Sequence, residues 1–258
     1  EDDPDRASEY LQVGYELFNG MDPAEADAEV FATISDILAP LNLIASMGDI
    51  GLLQAAISGL ETSAARKATL LHHLWRPARF RALLERYSQL QSRATETAMS
   101  DAAEIGLRTK AEVEARLDAL RADRETAPLT SDTVRWIEAL LAVEAPASEA
   151  LGALKALTED HRELDPAVEV LDARLDALAA RGVDLTRVRF ATGYGRTTLE
   201  YYNGFVFGFE IPGRGDLPAV STGGRYDALT RAIGGGDGVP AVGGVIRPGL
   251  TLALGGAS

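Results

Sequence analysis

The 258-residue sequence contains no cysteine. Disulfides, thiolate metal sites and cysteine nucleophiles are therefore excluded, and the absence fits a reducing compartment. Histidine is scarce too. The three copies are His72, His73 and His161, and none forms an i, i+4 pair flanking a carboxylate base, the pattern of a helical zinc site. A Gly-x-Ser-x-Gly nucleophile elbow is missing as well. No apolar run approaches the roughly 18 residues that cross a bilayer. No charged-then-apolar leader opens the sequence. The expectation is a cytoplasmic protein with no membrane partner, no metal and no cofactor.

Basic residues are also in deficit, and the formal net charge is −14. The deficit is uneven. Residues 187–258 hold seven arginines against five carboxylates, so the acidic excess lies in the first 186 residues. Binding a polyanion requires several lysine or arginine contacts to phosphate. This charge balance argues against a nucleic-acid partner.

What is present divides into strand-rich ends and a helical middle. Residues 9–18 alternate as a strand, with Leu11, Val13, Tyr15 and Leu17 expected on the core face. The other face carries Gln12, Gly14 and Glu16: two polar groups flanking a residue without a side chain. Either a solvent-facing strand side or the wall of a small-molecule pocket has this composition. Asp22-Pro23 predicts an N-cap and first helical position, with Val30, Ile34 and Leu38 as the apolar stripe. Residues 41–46 read as a short strand. From 51 to 182 nearly everything reads as helix, with a capping box at Thr109 and Glu112, an Asp165-Pro166 start and Gly182 as a stop. His72 and His73 are expected to point away from each other on a helix. Trp75 and Trp136 read as packing residues. Strands return at 187–194, 199–211, 218–222 and 241–246. These can share a sheet with the first strand only if the middle is an insertion, so residues 1–50 and 183–258 are expected to form one domain and 51–182 a helical insertion.

Two segments carry chemistry. In the strand expected from Leu199, alternation places Tyr201, Asn203, Phe205, Phe207 and Phe209 on a core face. Tyr202, Gly204, Val206, Gly208 and Glu210 form the other face, a glycine floor with a tyrosine over it. That floor suits an edge strand with bulges or a pocket wall. Gly223-Gly224-Arg225-Tyr226-Asp227 adds a second tyrosine beside two glycines, with Asp227 expected to cap a short helix. A tyrosine hydroxyl both donates and accepts, which suits an imidazole ring with one nitrogen of each kind.

Four segments in order then resemble one family. EYLQVGYELF is similar to the end of class II motif 2 of histidyl-tRNA synthetases, with Gln12 and Glu16 at matching positions. LEYYNGFVF and STGGRYD resemble their two histidine motifs, with Tyr202 and Tyr226 matching, and GVPAVGGVI resembles the motif 3 strand. The resemblance implies an α+β class II synthetase-like fold: a mainly antiparallel sheet flanked by helices, with a helical insertion. It also implies a histidine pocket shaped by Gln12, Glu16, Tyr202 and Tyr226 and supported by Gly14, Gly204, Gly223 and Gly224.

The arginines that serve adenylate chemistry in that family are not all matched. The position two residues before the Leu-Glu-Tyr-Tyr segment is Thr197, with Arg196 expected on the other face. Motif 3 runs into Arg247-Pro248-Gly249-Leu250 with no arginine at the aligned place. The arginine preceding the motif 2 glutamine falls near Ser8, with Arg6 close by. Motif 1 and an anticodon-binding domain are not visible, and the resemblance implies that motif 1 is left out of this sequence. Together with the GDIGLL segment from Gly48, this pattern resembles the non-catalytic members of the family, the regulatory subunits of ATP phosphoribosyltransferase. That branch implies a short catalytic subunit as partner, histidine as effector, feedback control of histidine biosynthesis and a self-dimer within a hetero-oligomer. An active synthetase core and a histidine sensor with another partner are the competing readings.

Overall fold

The computed structural model describes residues 10–90, 109–197 and 200–255, and two compact units emerge. Leu60–Trp136 forms the smaller; the flanking segments, up to Gly59 and from Ile137, form the larger. The larger unit is built on a seven-stranded sheet in the order β1-β7-β6-β5-β2-β4-β3. Its strands are β1 (Val13–Phe18), β2 (Ile44–Asp49), β3 (Glu144–Pro146), β4 (Val188–Ala191), β5 (Phe205–Glu210), β6 (Ser221–Arg225) and β7 (Ala241–Ile246). Every pairing is antiparallel except β2 with β4.

One face of the sheet is the core. The cross-strand register aligns Tyr15, Gly244, Gly223, Phe207, Met47 and Phe190. Helix α1 (Pro23–Leu38) lies over this face, and Phe31 touches Phe205, Phe207 and Phe209 with ring centroids 5.3–6.1 Å apart. Asp22 caps α1 by accepting from the amides of Ala24 (2.9 Å) and Glu25 (3.2 Å), with proline in the first turn, as its sequence indicates. Helix α2 (Ile50–Gly59) follows β2 directly.

The insertion expected over 51–182 does not coincide with the observed division. Helices α7 (Ala147–Thr158) and α8 (Asp165–Ala180) belong to the larger unit. The reason is packing: α8 lies along α1, burying Leu171, Leu175 and Leu178. Gly182 ends α8 with φ +82°, where a side chain would be strained. Asp165, expected as a cap, is the first residue of α8, and no side chain caps that end.

The smaller unit contains α3 (Ala64–His72), α4 (Pro77–Ser88) and α5 (Lys110–Glu125), and the chain leaves it within α6 (Ser131–Leu141). The capping box of Thr109 and Glu112 opens α5. Buried Arg66 fastens α3 to the end of α5. Its guanidinium donates to Asp123 Oδ1 (2.6 Å) and to the carbonyls of Asp123 (2.7 Å) and Ala127 (2.9 Å), and it sits over the Tyr87 ring. His72 and His73 do not point apart: their ring centroids lie 4.8 Å from each other. His73 has already left the helix as its C-cap, at ψ 10°, so helical spacing no longer governs it.

Two strand expectations also change. Leu11 and Val13 are exposed rather than core, because β1 is the edge strand and pairs with β7 alone. The strand expected from Leu199 begins at Phe205; Leu199, like Arg6 and Ser8, lies outside the described residues. Among the described residues no helix is long and apolar enough to cross a membrane.

Candidate functional site

The other face of the sheet carries the site. Register puts Glu16, Gly243, Gly224, Val206 and Gly48 on one rung across five strands. The next rung holds Gly14, Val245, Thr222, Gly208 and Ser46. Five of these ten positions are glycine, so the floor lies at backbone height and other groups descend onto it.

Most of those groups belong to the chain itself. A Cβ on Gly224 would sit 2.7 Å from the Tyr202 ring, so this glycine admits the tyrosine. The Glu16 carboxylate lies over Gly243, and a Cβ on Gly208 would collide with the Tyr194 hydroxyl. Tyr202, Tyr194 and Glu16 therefore fill much of the floor, and their polar atoms form a second layer above it.

That layer gathers three tyrosines around a carboxylate. Tyr226 starts α9 (Asp227–Ile233), its backbone amide donates to the Ala241 carbonyl (2.9 Å), and its hydroxyl donates to Glu16 Oε2. Tyr201 packs edge-on against Tyr202 and Tyr226, at centroid distances of 4.9 and 6.0 Å. Burial raises the pKa of Tyr202 and Tyr226, and the Glu16 charge raises both further. Burial likewise raises Tyr194, with the Glu210 charge adding to it. All three remain neutral phenols at neutral pH, able to donate and to accept. Such an array can hold a polar ring or an amine against Glu16.

Of the eight residues expected here, the structure unites Glu16, Tyr226, Tyr202, Gly14 and Gly224. Gln12 lies outside the group: it precedes β1, is exposed and donates to the Tyr10 hydroxyl (3.0 Å), whose ring lies under the Arg247 guanidinium. Gly223 faces the opposite side, where a Cβ would strike the Phe207 ring and the Gly243 carbonyl at 2.5 Å, so it serves the core. Gly204 faces the Arg225 side chain. Tyr201, expected on the core face, is half exposed because the chain reaches it before the ladder begins.

Asp227 is not a cap: α9 has no side-chain cap, and the Asp227 carboxylate accepts from Ala241 N (2.8 Å) and Arg225 Nη1 (3.1 Å). Gly243, Tyr194 and Arg225 escaped the sequence reading. The paired glycines of AVGGVI and the glycines flanking Tyr194 were the available signals.

Beneath the site runs a buried ion network. Arg225 donates to Asp27 Oδ1 (2.7 and 3.0 Å) and to the Pro23 carbonyl (3.0 Å). Arg174 of α8 takes the other Asp27 oxygen (2.7 Å) and Asp49 (2.6 Å), with its guanidinium over the Phe205 ring. Arg225 stands between Gly224 and Tyr226, so this network fixes the turn that presents both.

Beside the array, Arg189, Tyr194, Thr197, Glu210 and Thr222 line a cleft of about 820 Å³. Thr197 is on its wall, and Arg196 is buried with 7% exposure. Arg189 donates to Glu144 (2.7 Å).

Comparison with known proteins gives the chain its relatives. A family model described as histidyl-tRNA synthetase matches residues 89–248. A regulatory subunit of ATP phosphoribosyltransferase from Agrobacterium fabrum is 31% identical over 92% of this chain and 70% of its own length. One from Sinorhizobium fredii is 28% identical over the same shares. A solved structure described as an ATP phosphoribosyltransferase regulatory subunit/histidyl-tRNA synthetase from Bacillus halodurans covers 95% of this chain with a TM-score of 0.65 at 18% identity. Histidyl-tRNA synthetase from Nostoc covers 96% with the same score at 17% identity. The chain spans 53% and 51% of those two structures, about half their length. These likenesses and the synthetase-like α+β fold together show that the chain belongs to the ATP phosphoribosyltransferase regulatory subunit family, on the histidyl-tRNA synthetase fold.

Proposed function

We propose that this chain acts as a non-catalytic regulatory subunit, which activates a short catalytic phosphoribosyltransferase and returns histidine feedback to it. The observation that supports the reading is a contrast within one sheet face. The carboxylate–phenol array of Glu16, Tyr226, Tyr201 and Tyr202 stands over a glycine floor, and the adjoining cleft wall carries Thr197. Acyl-adenylate formation needs a guanidinium to neutralise the reacting phosphate, and losing one such donor costs about 10²–10³ in rate. A threonine hydroxyl supplies no charge, and the guanidinium that does line the cleft, Arg189, is paired with Glu144. Histidine recognition needs none: the imidazole would sit between Glu16 and the tyrosine hydroxyls, an acceptor at one nitrogen and a donor at the other.

The match to the synthetase family model favours a second reading, an ATP-dependent histidine-activating core. Two assays on the purified chain separate them. The regulatory reading expects no histidine-dependent ATP–pyrophosphate exchange. It also expects a catalytic phosphoribosyltransferase whose rate rises on adding the chain and falls again on adding histidine. Robust exchange by the chain alone would overturn it.

A further inference from the structure

Arg225, the last residue of β6, reaches both tyrosine-bearing segments of the array. Its backbone carbonyl accepts from the amide of Asn203 (2.9 Å), the residue after Tyr202, and Tyr226 follows it directly in the chain. Its stem lies against Gly204, where a Cβ would meet Arg225 Cδ at 3.4 Å. Asn203 Oδ1 in turn accepts from the Ala228 amide (3.3 Å). The loop that carries Tyr201 and Tyr202 and the turn that carries Tyr226 are thus joined at Arg225. Neither lies within a strand: the loop precedes β5, and Tyr226 stands between β6 and α9 with φ −139° and ψ 42°.

The guanidinium closes a circuit beneath them. Nε and Nη2 donate to Asp27, Nη2 also to the Pro23 carbonyl, and Nη1 to the Asp227 carboxylate. Asp27 is shared with Arg174, and Arg174 reaches Asp49. Asp49 accepts from the Gly51 amide (2.7 Å), and the intervening Ile50 amide donates to the Gly204 carbonyl (2.9 Å). The path returns to the stem of Arg225 on Gly204. Stability alone does not call for such a circuit, because buried ion pairs seldom outperform apolar residues of the same volume. A fully satisfied buried network does fix one geometry. The geometry fixed here is the spacing of two segments that bring their hydroxyls to one place.

We propose that Arg225 is the positioning residue of the array: its planar fork, rather than its charge, sets Tyr202 and Tyr226 at one spacing over the glycine floor, and histidine affinity follows that spacing. The histidine part rests on the regulatory-subunit reading. The test uses Arg225→Lys, which keeps the charge beside Asp27 but offers three donors from a single point in place of a fork. Leu140→Ala is the comparison. Leu140 is buried on α6 in the same unit and makes none of the circuit's hydrogen bonds, so its truncation loosens the core alone. Histidine affinity is measured by calorimetry on each chain, and amide hydrogen exchange is followed over residues 201–204 and 226–228.

Arg225→Lys is expected to weaken histidine binding at least ~10-fold, as misaligned hydrogen bonds to a charged group do, and to speed exchange in both segments together. Leu140→Ala should leave affinity and both segments close to the parent chain. Unchanged exchange in Arg225→Lys, a rise in one segment only, or equal effects of the two variants would overturn the positioning role. Faster exchange in both segments with unchanged affinity would overturn its link to the ligand. A parent chain that binds no histidine would overturn the histidine reading, and the exchange comparison would still decide whether Arg225 sets the two segments. Should Arg225→Lys not fold, Asp227→Asn weakens the Nη1 contact and keeps an oxygen for the Ala241 amide. It should speed exchange in both segments, and no rise in either would overturn the inference.

Discussion

Glu16 occupies the space that a side chain on Gly243 would fill, and from there it accepts the Tyr226 hydroxyl. The two residues face each other across β1 and β7, so the motif 3 glycine exists for the motif 2 carboxylate. Gly243→Ala would push the carboxylate off its seat. The displaced atoms are the far end of a flexible side chain, so stability should fall by only about 1 kcal/mol. Histidine affinity, on the proposed reading, is a different matter. A hydrogen bond to a charged acceptor contributes about 1.5–3 kcal/mol, so calorimetry should show binding weakened roughly 10-fold or more. Unchanged affinity would mean that histidine does not use Glu16.

Gly223 makes the opposite prediction although it adjoins Gly224. Its missing Cβ leaves room for the Phe207 ring and for the Gly243 carbonyl, neither of which can swing away. Gly223→Ala should therefore overpack the core and cost about 1–3 kcal/mol, read as a lower urea midpoint. Gly243→Ala should shift that midpoint far less. A reversed order would contradict the assignment of Gly223 to the core face.

The Asp27 carboxylate is shared by Arg174 and Arg225, and all three are nearly inaccessible to water. Truncating one partner strands a buried charge. Arg174→Met should cost about 3–5 kcal/mol, although it lies on a helix with no place in the site. Denaturant unfolding measures the loss, and a change below about 1 kcal/mol would show that the network is not a stabilising unit.

This network also marks where sequence reasoning stops. Alternation over Phe205, Phe207 and Phe209 identified their buried face, and Asp22 and Gly182 announced the helix ends, because those signals act over a few residues. Asp27 and Arg225 are 198 positions apart, and nothing local in either segment points to the other. The side that each glycine serves was equally hidden. Gly223 and Gly224 are neighbours in sequence and face opposite layers, and only the register with β5 and β7 decides which one admits Tyr202. Tyr194 was missed for the same reason, since its seat over Gly208 is made by a different strand. Conversely, Leu11 and Val13 alternate as core residues should, but an edge position leaves them exposed.

His73 should make the smaller unit sensitive to acid. Burial and then the charges of His72, Arg79 and Arg76 hold its ionisation below the ordinary value of 6.5. Protonation is thus easier in the unfolded chain, so the unfolded state binds more protons as pH falls through 6.5. The stability that neutral His73 contributes is fully present above about pH 6.5 and is lost as pH drops through the lower folded value. Both tryptophans, Trp75 and Trp136, lie in this unit, so intrinsic fluorescence reports its unfolding selectively. Denaturant melts at pH 7.5 and pH 5.5 should show a smaller acid-induced loss for His73→Gln than for the parent chain. An identical loss in the two proteins would place the acid sensitivity elsewhere.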